Sequence, residues 1–223
     1  MKKTNIFIAC DTTSLKKIKL IIKHSQIKEI NFGYKFGLEF LNSKDGRKFV
    51  SSLKNKITFG DYKIADIPNT CVSAIRAVKD LKLNYITIHI SSGMKALKAA
   101  KRVSGKTKLI GVTVLTSLDN KSLKEIGFDK DVKKLVLHQA RLAAKAKLDA
   151  IVCSPHEIKI VKKVFKKEII TPGIRLIGHS KGDQKRVMTP RQAFQNGATA
   201  LVMGRSLTSN IKKNIQKLIK ELK

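Results

Sequence analysis

The sequence predicts an α/β protein of the (β/α)8 TIM-barrel class, with residues 1–223 forming a single domain. Three observations carry this reading. Eight short β-like apolar runs alternate with amphipathic segments along the chain, the mark of βα units and a parallel sheet. The units recur about every 28 residues, as in a compact eight-fold barrel slightly below the usual length. The competing arrangement is an open doubly wound sheet, but no GxGxxG follows the first strand, so the usual dinucleotide fingerprint is missing.

The elements follow in order. Strands are read where short runs rich in β-branched and aromatic residues stand between polar or turn-forming residues. Helices are read where apolar residues recur at three- and four-residue spacing. NIFIACD (5–11) is the first strand and SLKKIKLIIK (14–23) its helix; EINFGYK (29–35) is the second strand. ITFGDYK (57–63) precedes the helix SAIRAVKDLK (73–82), and YITIHIS (85–91) precedes MKALKAAKRV (94–103). LIGVTVLT (109–116) leads to KKLVLHQARLAAKAK (133–147), and AIVCSP (150–155) to EIKIVKKVFKK (157–167). EIITPGIR (168–175) leads to RQAFQNG (191–197), and ALVMGRS (200–206) to IKKNIQKLIKELK (211–223). No linker, sequence repeat or second domain interrupts the series.

Composition excludes several classes. With 42% apolar and 28% charged residues over 223 positions, the chain can bury a full core and is not a disordered polymer. No apolar run approaches the ~18 residues a membrane span needs, and MKKTNIFIACDTT meets an aspartate after a short apolar stretch. Neither a membrane segment nor a cleaved signal is expected, and the cytoplasm is the expected compartment. Cys10, Cys71 and Cys153 lie far apart without CxxC spacing, so no disulfide framework or zinc knuckle is suggested. His24, His138, His156 and His179 form no HxH or HExxH pair, and no metal site is expected.

The net charge of +31 points at first to nucleic acid. Yet only 8 of the 47 basic residues are arginine, and the lysines are spread over segments that read as outer helix faces. There is no Trp, no basic–aromatic interleaving and no recognition-helix pattern. A solvated lysine surface is the better reading, with no nucleic-acid partner. A positive field of this kind still attracts an anionic small molecule.

The polar residues gather where a barrel builds its chemistry. Asp11, Lys35, Asp61, Lys63, His89, Thr116, Arg175 and Arg205 all fall at or just beyond the C-terminal ends of predicted strands, which converge on one mouth. Asp61 and Lys63 have the i, i+2 spacing that puts both side chains on one side of a strand, and Asp66 follows three residues later. Two carboxylates bracketing an ammonium keep it protonated, which suits a lysine that delivers a proton to a carbanion. An isolated DxK, by contrast, is more often a structural ion pair. Cys10 alternates away from Asp11 and is expected on the packed exterior of the barrel. The segment LIGHSKGDQ (176–184) reads either as a plain connection or as a cover over a bound phosphate.

The run Asp61-Tyr-Lys63-Ile-Ala-Asp66-Ile-Pro-Asn-Thr70 closely resembles the DxKxxDIPNT signature of the orotidine 5′-phosphate decarboxylase family. ACD at 9–11, GYKFG at 33–37, TVLTS at 113–117, PGIR at 172–175, GDQKRVMTP at 182–190 and MGRSLT at 203–208 resemble that family's other motifs in order. GRS stands where the family usually has GRP. The resemblance implies a cofactor-free decarboxylase acting on orotidine 5′-monophosphate. It makes Lys63 the proton donor, with Asp61, Asp66 and Lys35 completing an alternating array. It also implies that Asp66 reaches the site of a partner subunit, hence a homodimer, and that Thr70 adds a contact from that partner. Asp11 and Lys35 would hold the ribose, Thr116 would lie near the pyrimidine, and Arg175, Gln184, Gly204 and Arg205 would mark the phosphate end. Relatives sharing the DxKxxD barrel, such as 3-keto-L-gulonate 6-phosphate decarboxylase, use a magnesium-stabilised enediolate instead. A phosphate- or RNA-binding scaffold is the alternative from a different class.

Overall fold

The computed structural model describes residues 6–178 and 187–222. Eight parallel strands close into a barrel in the order of the sequence: β1 (Ile6–Ala9), β2 (Phe32–Phe36), β3 (Ile57–Ile64), β4 (Tyr85–His89), β5 (Lys108–Val112), β6 (Ala150–Val152), β7 (Glu168–Thr171) and β8 (Ala200–Met203). The outer helices are α1 (Leu15–His24), α2 (Leu38–Leu41), α3 (Gly46–Ser52), α4 (Pro68–Ala77), α5 (Gly93–Val103) and α6 (Asn120–Glu125). They continue as α7 (Val132–Lys145), α8 (Ile158–Val164), α9 (Pro190–Asn196), α10 (Arg205–Thr208) and α11 (Ile211–Leu222). Among the described residues, no helix is long and apolar enough to cross a membrane.

Local chemistry sets the helix starts. Ser14 and Asp131 cap α1 and α7 by accepting from Lys17 and Lys134 N–H, and Thr189 with Gln192 makes a capping box ahead of Pro190 in α9. Most strands stop short of the runs read from sequence. The run 109–116 leaves the ladder after Val112, and 168–175 leaves it after Thr171. Pro172 has no N–H to donate and Gly173 turns through a positive φ of 76°, which ends β7.

Strand alternation divides the core in two. Outward residues such as Ile6, Ile8 and Cys10 of β1 join the helices in the large outer core. Cys10 therefore lies on the packed exterior of the barrel, and burial pushes its thiol up to about 12, where it is inert. Inward residues change character from bottom to top. At the N-terminal end, Lys108 donates to Glu168 and to the Tyr85 hydroxyl (3.3 Å), and Tyr85 donates to Glu168 at 3.0 Å. Above this ionic layer, Phe7 meets Phe59 and Tyr85 edge-on at 5.3 and 5.2 Å, with Ile110, Ile170 and Ala200 filling the remaining space. The uppermost inward positions carry the charged groups.

Candidate active site

The charged groups form a ladder across three strands. Lys35 ends the inward face of β2, opposite Phe59 in the β2–β3 register. Its ammonium lies 3.1 Å from Asp11 Oδ1 and 3.2 Å from Asp61 Oδ2, and Lys63 Nζ approaches the same Asp61 oxygen at 2.8 Å. The alternation Asp11–Lys35–Asp61–Lys63 gives each buried charge an opposite neighbour. Burial alone pushes Lys35 down, but the Asp61 and Asp11 carboxylates outweigh it and hold its pKa above the usual lysine value. Burial alone pushes Asp61 up, but Lys35 and then Lys63 outweigh it and hold the carboxyl below its usual range. Both groups are charged at neutral pH. Gly37 leaves room for this crowding, since a Cβ there would stand 3.2 Å from Asp11 Oδ1 and 3.4 Å from Lys35 Nζ.

Asp61 and Lys63 meet as the i, i+2 spacing predicts, but by a different route from simple strand alternation. The β3–β4 register shifts between Gly60 and Ile64, and Lys63 has a left-handed backbone with φ 48°. The Thr87 hydroxyl accepts the Lys63 N–H at 2.8 Å and donates to Asp61 Oδ1 at 3.1 Å. The carboxylate of Asp66 does not bracket Lys63 within the chain. It is exposed, accepts the N–H of Ile67 at 2.7 Å, and makes no ion pair with Lys63 among the described residues. Thr70 is exposed beside it on α4, and Ile67 between them is 67% exposed. The strand ended and the chain turned outward before Asp66, which three-residue spacing alone does not show.

The ladder forms one wall of a cavity of about 270 Å³ at the C-terminal mouth of the barrel. Ala9, Phe59, Val112, Val152 and Val202 make an apolar floor, and Thr116 stands on the β5 side. Arg175, Gly204 and Arg205 line the end formed by β7 and β8. Burial and then the nearby Arg205 charge lower the Arg175 pKa, so two guanidiniums share one end of the cavity. The Ser206 hydroxyl donates to Ile174 O at 3.1 Å and ties the two arginine-bearing loops together. Of the sequence-predicted site, Asp11, Lys35, Asp61, Lys63, Thr116, Arg175, Gly204 and Arg205 come together, whereas Asp66 and Thr70 lie outside the cavity. Gln184 and most of the 176–184 segment fall outside the described residues. His89, half-buried at the end of β4, has its pKa lowered by burial and by Lys63, against the pull of Asp61. No three His, Cys, Asp or Glu side chains among the described residues group as metal ligands.

Sequence reasoning missed Thr87 and Gly37. In YITIHIS a threonine reads only as a strand former; Gly37 offers a weak signal, since a glycine at a strand end can mark close backbone approach.

The cavity thus sets two guanidiniums at one end and the ladder of alternating charges along one wall. The fold and site together define a protein of the (β/α)8-barrel class, with an alternating ladder of charges and an arginine pair lining one cavity at the strand ends, where enzymes of this fold place their active sites. The family model described as "Orotidine 5'-phosphate decarboxylase / HUMPS family" matches residues 4–215, and the chain belongs to that family. It is an enzyme of the carboxy-lyase class. An orotidine 5′-phosphate decarboxylase of Prochlorococcus marinus (strain AS9601) is 41% identical over 228 residues, covering 94% of this chain and 91% of the relative. One from the Wolbachia of Brugia malayi is 44% identical over 192 residues, covering 83% of this chain and 84% of its own. The crystal structure of the Lactobacillus acidophilus orotidine 5′-phosphate decarboxylase superposes with a TM-score of 0.82 at 27% identity, covering 98% and 99% of the two chains.

Proposed function

We propose that this enzyme converts orotidine 5′-monophosphate to UMP and carbon dioxide, the last step of de novo UMP synthesis, without a cofactor. The observation that carries the reading is the Asp11–Lys35–Asp61–Lys63 ladder facing an arginine pair across one cavity. The names of the curated relatives agree with it. Arg175, Gln184, the Gly204 N–H and Arg205 bind the phosphate; Asp11 and Lys35 hold the ribose; Thr116 contacts the pyrimidine. The bond from C6 to the carboxylate carbon breaks, and its electron pair stays on C6. Asp61, held ionised, faces the departing carboxylate, while the Lys63 ammonium stabilises the carbanion and transfers a proton to it. The Lys63 side chain is 33% exposed, so the resulting amine can recover its proton from water.

The enzyme acts as a cytoplasmic homodimer in this reading. Asp66 and Thr70, exposed beside Ile67, extend into the partner's cavity and supply there the second carboxylate that Lys63 lacks in its own chain. The test is to add orotidine 5′-monophosphate to purified protein with EDTA and follow the ultraviolet change. Turnover undiminished by EDTA supports the reading. A strict magnesium requirement assigns enediolate chemistry instead, and salt-sensitive polynucleotide binding without turnover assigns a binding scaffold.

A further inference from the structure

We infer that Thr87 is a positioning residue for this reaction, its single hydroxyl setting both the carboxylate of Asp61 and the backbone from which Lys63 reaches the substrate. The inference rests on the decarboxylase reading above. Between β3 and β4, Gly60 pairs with Ile86 and Ile64 with Ile88. Asp61, Tyr62 and Lys63 therefore stand opposite Thr87 alone, and the regular ladder cannot satisfy this stretch. Thr87 is fully buried (0% exposed) and faces into the barrel by alternation with Tyr85. Its oxygen accepts the Lys63 N–H at 2.8 Å, and its proton goes to Asp61 Oδ1 at 3.1 Å.

Both bonds bear on the chemistry. Asp61 Oδ2 is shared by Lys35 and Lys63, so the Thr87 bond to Oδ1 is what fixes rotation of the carboxylate about its own axis. The N–H bond helps hold Lys63 at φ 48°, a left-handed conformation that is uncommon for non-glycine residues. A relaxed backbone would swing the ammonium off C6. Thr87 touches no reacting atom, so it acts through its two neighbours. Valine has nearly the same shape but can neither accept nor donate. Serine keeps the hydroxyl and drops the methyl.

Wild-type, Thr87→Val, Thr87→Ala and Thr87→Ser enzymes are compared for folding by circular dichroism, then for kcat, KM and the pH profile of kcat with orotidine 5′-monophosphate. The expected result for Thr87→Val is a loss of about 10²-fold in kcat, as for misplacement of catalytic groups by about an ångström, with KM unchanged. The acid limb of its profile moves to higher pH, because the ionised Asp61 has lost a donor. Thr87→Ser restores most of kcat and returns the acid limb. If the valine variant does not fold, Thr87→Ala against Thr87→Ser makes the same comparison of hydroxyl absent and present. Wild-type kcat and acid limb in a hydroxyl-free variant, or equal damage from serine and valine, overturns the inference while leaving the decarboxylase reading intact. A wild-type enzyme without turnover overturns the decarboxylase reading, and this inference with it.

Discussion

Replacing Asp61 with asparagine keeps the size of the side chain and removes the charge at the centre of the ladder. Asp61 Oδ2 stands 2.8 Å from Lys63 Nζ and 3.2 Å from Lys35 Nζ, and the residue is 8% exposed. At an effective dielectric near 20, each pair has a gross attraction of roughly 5 kcal/mol. The carboxylate's lost hydration offsets much of this, and breaking a buried pair from one side costs about 3–5 kcal/mol net. Because the Lys63 side chain is 33% exposed, its share is screened and the low end applies, about 3 kcal/mol. For a chain of this length that corresponds to a fall in Tm of about 6–12 °C. The sign with pH follows from the depressed Asp61 pKa: its stabilisation is complete above the unfolded value near 3.9 and is lost as pH falls through the lower native value. Thermal and urea unfolding of both proteins from pH 7 down to acid should therefore show a wide gap that closes below about pH 4. Equal stability at pH 7, or a gap unaffected by acid, would refute the claim that the Asp61 charge holds the ladder together.

Lys63→Ala should fold normally and lose at least ~10³-fold in kcat, because a general acid and a cation leave together; near-normal kcat in the folded variant removes Lys63 from the mechanism. Arg205→Ala should weaken kcat/KM for the phosphorylated substrate by about 2 kcal/mol while leaving that for the nucleoside orotidine nearly unchanged, and equal losses on both substrates would show that Arg205 does not read phosphate. Mixing Lys63→Ala with Asp66→Ala subunits under exchange should return activity towards about a quarter of the wild-type rate, since half the dimers are mixed and each regains one intact site. Verified exchange with no recovery would place Asp66 outside the neighbouring site.

The barrel was legible because most units combined a short apolar run with a three-and-four spaced helix, two periods that cannot be exchanged. The strand ends were less legible. Nothing in Val-Thr-Val-Leu-Thr at 112–116 tells that the ladder stops at Val112, since the residues beyond it are equally good strand formers. The ladder residues stood out because charges at consecutive strand ends exceed what packing needs, and the arginine pair because Arg175 and Arg205 stand at the ends of the runs EIITPGIR and ALVMGRS read as strands. The left-handed turn at Lys63 left no trace, as it arises from pairing with β4 rather than from local preference. Thr87 was hidden for the same reason: its value lies in what faces it across the sheet. The position of Asp66 depended on the chain leaving the strand after Ile64, a boundary that pattern alone places only within a few residues.

The ionic and aromatic stopper of Lys108, Glu168, Tyr85, Phe7 and Phe59 closes the barrel below the cavity. Among the described residues, the lower end of the barrel is filled and the cavity lies at the rim formed by the strand ends. With that end filled, substrate would enter and both products would depart over the same rim of loops. Each turnover must then clear that rim before the next molecule can enter, so traffic over it and events at the reacting carbon are separate places where the rate can be set.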